Sequence, residues 1–156
     1  MNILMLECFG NEDMISAFRE MGHQVTSIPF SNKELHHNEE EENRLISEIR
    51  SCSPDFVFSF NYFPIVSLAC KAADMRYVSW VYDSPYVLLY SYTIINPCNY
   101  VFVFDKELYV EFHRAGISTV HYLPLAANTK RLTAMDHAPA LADFQKSKWK
   151  NQAEIA

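Results

Sequence analysis

The chain has 156 residues, the length of one domain and short of a complete two-domain enzyme. Hydrophobic residues make up 49% and charged residues 21%, a globular balance that excludes a disordered or fibrous chain. The net charge of −6 argues against nucleic acid, whose binders carry a basic face, and no apolar run reaches the ~18 residues of a membrane span.

Apolar runs of strand length alternate with segments of helical period, which predicts a parallel sheet covered by helices in three α/β/α layers. Strands are expected at 2–7, 24–29, 55–60, 76–82, 100–104 and 119–122. Between the first two, Met14, Ile15, Phe18 and Met21 recur at helical spacing, with Asn11 as the expected N-cap and Gly22 as the stop. Glu39 to Glu42 precede Leu45, Ile46, Ile49 and Cys52, so this acidic run reads as a helix start, where carboxylates meet the positive end of the dipole, rather than as a metal site. After the third strand, Asn61 is expected to cap a helix with Pro64 in its first turn. Tyr77 to Tyr82 predicts a central strand that ends in the turn Asp83-Ser84-Pro85. Asp105 is the expected cap of the next helix, which carries Leu108, Tyr109 and Phe112 and stops at Gly116. Right-handed crossovers make 3-2-1-4-5-6 the economical strand order of such a doubly wound sheet.

Charge is unevenly placed. Residues 1–128 hold 8 Lys/Arg against 16 Asp/Glu, net −8, whereas residues 129–156 hold 5 against 3, net +2. Residues 133–156, interrupted by Pro139, read as a separate arm. Cys8, Cys52, Cys70 and Cys98 form no C-x-x-C pair and the histidines no H-x-x-x-H pair, so four reduced thiols and no metal are expected. Three scattered glycines, Gly10, Gly22 and Gly116, make no dinucleotide or Walker fingerprint, and no cofactor is implied. Met1 to Glu7 lacks the basic flank and cleavage site of a signal peptide, so a cytoplasmic protein without a membrane span is expected.

In open parallel sheets ligands bind beyond the carboxyl ends of the strands. There the first strand runs into Cys8-Phe9-Gly10-Asn11-Glu12-Asp13, the third into Asn61-Tyr62-Phe63, the fourth into Tyr82-Asp83-Ser84-Pro85-Tyr86 and the fifth into Asp105-Lys106. Aromatic rings beside carboxylates and amides suit a polyhydroxylated ligand, since rings cover the apolar faces of a sugar while Asp and Asn bond its hydroxyls. Capping alone also accounts for Asn11, Asn61 and Asp105, and a turn-forming role for Asp83. Asp83, after an aromatic-rich strand and before a proline turn, is expected to be partly buried and is the leading carboxylate for a general base.

Five blocks carry a family resemblance: Phe9 to Asp13 with Ala17-Phe18 and Met21-Gly22-His23; Pro54 to Pro64; Ser79 to Tyr86; Asn99 to Phe102; and Tyr122 to Asn128. In this order they resemble the N-terminal domain, of unknown function, of bacterial GT-B-type glycosyltransferases related to the spore maturation glycosyltransferases. The resemblance covers residues 1–132. It implies a Rossmann-like acceptor-side domain, with residues 133–156 a linker or the start of a donor domain that this chain lacks. It further implies that a nucleotide sugar is held mainly by that other domain, and that Gly10, Asn11, Glu12, Asn61, Tyr62, Ser84 and Tyr86 face the cleft, with Asp83 the candidate catalytic base. The expected function is sugar transfer from a nucleotide sugar to an unknown acceptor, inactive in this fragment. The alternative is a non-catalytic ligand-binding or receiver-like α/β domain, although Asn61 stands where a receiver needs its phosphoaccepting Asp.

Overall fold

In the run Ile3-Leu4-Met5-Leu6 every side chain is apolar and at most 1% exposed. A strand buried on both faces is the mark of the interior of a parallel sheet. In the computed structural model, which describes residues 1–7, 11–30 and 38–136 (side chains of 134–136 excepted), this strand is β1 (Asn2–Glu7). It is followed by α1 (Asn11–Glu20), β2 (Gln24–Pro29), α2 (Glu39–Cys52), β3 (Phe56–Phe60), α3 (Pro64–Ala72), β4 (Tyr77–Val81), β5 (Asn99–Val103), α4 (Lys106–Arg114), β6 (Val120–Tyr122) and α5 (Thr129–Asp136). The chain divides into two units, Met1–Leu125 and Ala126–Ala156. The first holds the whole sheet; the second contains α5, where Asn128 Oδ1 accepts from the Arg131 amide at 3.0 Å.

All six strands are parallel, and the architecture is a three-layer, Rossmann-like α/β/α fold. Each strand lies within about one residue of its expected bounds. The order is β2-β1-β3-β4-β5-β6, which corrects the expected 3-2-1-4-5-6. Composition explains the difference. β2 exposes Gln24, Thr26 and Pro29, which suits an edge, whereas Val57, Phe58 and Ser59 of β3 are buried and need neighbours on both sides.

That order also decides where the helices go. The connection β1 to β2 runs one way along the sheet and every later one runs the other, so right-handed crossovers place α1 on one face and α2, α3 and α4 on the opposite face. The α1 face packs Met14, Ile15 and Phe18 over Ile3, Met5 and Phe58. The opposite face is the larger core, in which Leu45 and Ile49 of α2, Ile65, Val66 and Ala69 of α3, and Leu108 and Phe112 of α4 close over Leu4, Leu6, Val57 and Val101.

Helix ends follow local chemistry. Asn38 caps α2 by accepting from the Glu40 and Glu41 amides, so the acidic run is a helix start as expected. Pro64 opens α3, and Gly22 and Gly116 take φ of 81° and 78° after α1 and α4. The link from β4 to β5 is made of two 3₁₀ turns, Val87–Tyr90 and Tyr92–Ile95. Such turns satisfy few of their own carbonyls. Asn99, 2% exposed at the start of β5, supplies the donors: its Nδ2 reaches Thr93 O at 2.8 Å and Ile94 O at 3.2 Å, while its Oδ1 accepts from Ser67 Oγ at 2.8 Å. Tyr62 Oη and Thr93 Oγ1, 2.7 Å apart, extend the same buried network.

Asn99→Ala removes three buried hydrogen bonds, while Thr93 O keeps the Asn96 amide and Ile94 O keeps Thr119 Oγ1, so it lowers the unfolding free energy by about 1–3 kcal/mol. Urea denaturation measures this, and a loss under about 1 kcal/mol contradicts the role given to Asn99.

Candidate functional site

The carboxyl edge is organised where β3 ends. Ser59, fully buried, has a single hydroxyl proton and donates it to the Asn61 carbonyl at 2.7 Å, so the Tyr77 hydroxyl 2.7 Å away donates to Ser59 Oγ. Tyr77 Oη in turn accepts from the Phe63 amide at 3.1 Å. Burial holds the Tyr77 phenol well above its usual titration range, so it stays the protonated donor this chain needs. These bonds grip the backbone on both sides of Tyr62, directly after Asn61, which adopts a left-handed φ of 58°.

That conformation turns the Asn61 side chain along the edge rather than into a helix cap. Its Oδ1 accepts from the Tyr82 amide at 3.1 Å and its Nδ2 donates to Asp83 Oδ2 at 2.8 Å, joining the ends of β3 and β4. The expected capping role is corrected: Phe63 is the N-cap residue of α3 and makes no side-chain capping bond. Asp83 is exposed, which corrects the expected partial burial. Next to it, Ser84 Oγ donates to Asp105 Oδ2 at 2.9 Å and ties the end of β4 to that of β5. Asp105 caps α4 as expected, its Oδ1 accepting from the Glu107 and Leu108 amides. Its carboxyl is held below the ordinary aspartate value, first by the Ser84 hydroxyl and then by the two helix amides. The Ser84–Pro85 peptide is cis.

The structure thus joins Asn61 to Asp83 and Ser84 to Asp105, two hydrogen-bonded pairs made into one row by the peptide bond between Asp83 and Ser84. The other expected residues fall elsewhere. Asn11, 6% exposed, donates from Nδ2 to the Leu6 carbonyl at 3.1 Å, and its Oδ1 is buried without a hydrogen-bond partner, so it does not cap α1. Tyr62 is corrected outright: at 0% exposed it faces the core, stacks on Tyr77 at 5.8 Å and has no access to a cleft. The left-handed turn at Asn61 breaks the strand alternation and sends the next side chain inward. Tyr86 is half-buried against the larger core, and Glu12 is exposed in the first turn of α1. Gly10 lies outside the described residues. A groove of about 540 Å³ along α1, lined by Glu12, Ile15, Ser16, Arg19 and Glu20, takes in only Glu12 of the expected set.

Ser59 and Tyr77, which position the row, were not among the expected residues. Their only signal is a lone serine inside the apolar run Phe56-Val57-Phe58-Ser59-Phe60 and a tyrosine opening the next strand. Among the described residues no group of three His, Cys, Asp or Glu is placed to hold a metal, and no helix is long and apolar enough to cross a membrane.

The strand order reverses between β1 and β3, so Asn11 and Asn61 flank the switch point at which doubly wound sheets open a crevice. A Rossmann-like α/β domain with polar side chains gathered at this edge has the architecture that binds nucleotides and other small ligands. No family model and no curated protein matches the chain.

Two outcomes test the edge. Asn61→Ala, which loses both side-chain bonds and strains the left-handed backbone, destabilises more than Asn61→Gly by about 1 kcal/mol, measured by urea denaturation. Asp105→Asn keeps an acceptor at the cap but loses the charge. The carboxylate's extra stability is fully present above the ordinary aspartate pKa of about 4 and is lost as pH falls through its lower folded value. The thermal midpoints of Asp105→Asn and wild type therefore differ at pH 6 and converge in strong acid; a gap that widens on acidification contradicts the assignment.

Proposed function

We propose that residues 1–125 are the acceptor-side domain of a GT-B-type glycosyltransferase, binding a polyhydroxylated acceptor at the carboxyl edge of the sheet. The observation that carries this reading is the row Asn61, Asp83, Ser84 and Asp105 at a topological switch point. The family resemblance supports it, and so does the chemistry of the row, which is rich in acceptors for sugar hydroxyls. Asn11 Oδ1, an acceptor without a donor, stands on the other side of the switch point.

Asp83 is the proposed base. Asn61 fixes one carboxylate oxygen, Oδ2, and the residue is otherwise open to solvent, so Oδ1 is free to accept from an acceptor hydroxyl. As the acceptor oxygen bonds to the sugar carbon and the nucleotide leaves, its proton passes to this carboxylate. Holding the carboxylate in one orientation before the acceptor arrives is the contribution of Asn61. The nucleotide sugar itself is assigned to a second domain, because this edge offers no glycine-rich phosphate cradle.

The test is sugar transfer by the polypeptide together with any sequence that follows it in its gene. Asp83→Ala lowers kcat by about 100-fold or more, the usual contribution of a positioned base, while leaving acceptor binding within a few-fold. Asn61→Ala lowers kcat less, with the fold retained. A wild-type protein that binds neither nucleotide sugar nor any sugar overturns the reading.

A further inference from the structure

The connection from β4 to β5 shows apolar side chains to solvent and is held too firmly to hide them. Along its two 3₁₀ turns Leu89, Thr93 and Ile94 are at most 4% exposed, whereas Val87, Tyr90, Tyr92 and Ile95 are 78%, 56%, 74% and 65% exposed. The inward side is pinned. Thr93 O accepts from Asn99 Nδ2 at 2.8 Å, Thr93 Oγ1 lies 2.7 Å from Tyr62 Oη, and Ile94 O accepts from Thr119 Oγ1 at 2.6 Å. Turning the outward side chains in breaks these buried bonds, so the exposed ones stay on show. The stretch that carries them is also free of charge: from Ser84 to Phe104 there is no Asp, Glu, Lys, Arg or His, in a chain of which 21% is charged.

We infer that this patch is where a second copy of the chain docks, face to face about a two-fold axis. In such a contact each surface meets its own copy, so a charged patch faces its own sign and an uncharged one does not. With a net charge of −6 on the chain, self-contact is confined to an uncharged surface, and Ser84 to Phe104 supplies one. The patch presents the phenols of Tyr90 and Tyr92, and a phenol both donates and accepts, so two copies can satisfy each other. The Tyr90 hydroxyl donates to Glu111 Oε2 of α4 at 3.3 Å, which leaves its oxygen to accept from a tyrosine of the second copy. At these exposures the four side chains present roughly 500 Å². A pair then buries about 1,000 Å² in all, the lower bound of a specific interface, which makes the dimer reversible with a Kd on the order of tens of micromolar. A strongly charged partner finds no counter-charge within this stretch, and a membrane-binding surface has Lys and Arg beside its apolar face, which this stretch lacks. The surface stands whether or not the acceptor reading holds.

The test is analytical ultracentrifugation of the whole chain over a concentration series that spans the micromolar range. Wild type is expected to pass from monomer to dimer as concentration rises. Tyr92→Glu weakens the dimer by about tenfold or more, since it sets two like charges in the contact. Val87→Glu repeats the measurement at a second exposed position and has the same effect. Thr26→Glu adds the same charge at an exposed position on the edge strand β2, away from the patch, and leaves the dimer as it was. A wild type that stays monomeric overturns the inference, as does a dimer that survives both patch variants or one that Thr26→Glu weakens equally. So does a monomer that binds phosphatidylcholine vesicles and loses that binding with Tyr92→Glu, which assigns the patch to a membrane instead.

Discussion

The hydrogen-bonded chain from the Phe63 amide through Tyr77 and Ser59 to the Asn61 carbonyl sets the shape of the carboxyl edge. The buried hydroxyls of Ser59 and Tyr77 meet on neighbouring strands, and each is satisfied by the other and by the backbone that follows β3. They do so against a backbone that turns after Phe60, where Asn61 is left-handed. Asparagine tolerates that conformation better than a bulkier side chain, and its amide then spans to β4 with a donor and an acceptor. The polar row on the surface is in this sense a product of polar satisfaction in the interior.

A second constraint acts at a larger scale. With one reversal at β1, right-handed crossovers send one helix to one face and three to the other. The face with three helices acquires the larger core and a buried polar lattice around Asn99, while the other holds the smaller cluster under α1. One topological choice thus sets both the switch point flanked by Asn11 and Asn61 and the unequal share of the described helices on the two faces.

Much of this was legible in the residues. Strand positions followed from apolar runs, the start of α2 from Glu39 to Glu42, the caps from Asp105, Gly22 and Gly116, and the α/β/α layering from alternation. The strand order was not, because it depends on comparing distant strands: the polar content of β2 against the uniform burial of β3. Asn61 and Tyr62 were misjudged for a local reason. Strand alternation carries a reader past Phe60 without warning, and only the buried hydroxyls of Ser59 and Tyr77 reveal that the chain turns there. Asp83 was placed correctly at the strand end, but its exposure depends on a turn geometry that composition does not specify.

The interior position of β1, beside the edge strand β2, has a bearing on how the chain is made. Ile3 pairs with Phe56, more than fifty residues later, whereas its other edge pairs with the nearby β2 at Val25. A polypeptide emerging from the ribosome therefore completes the β1-α1-β2 unit early and carries one bare edge of its most apolar strand until β3 follows. That interval, rather than the finished fold, is where the strand Ile3 to Leu6 is most open to pairing with another chain.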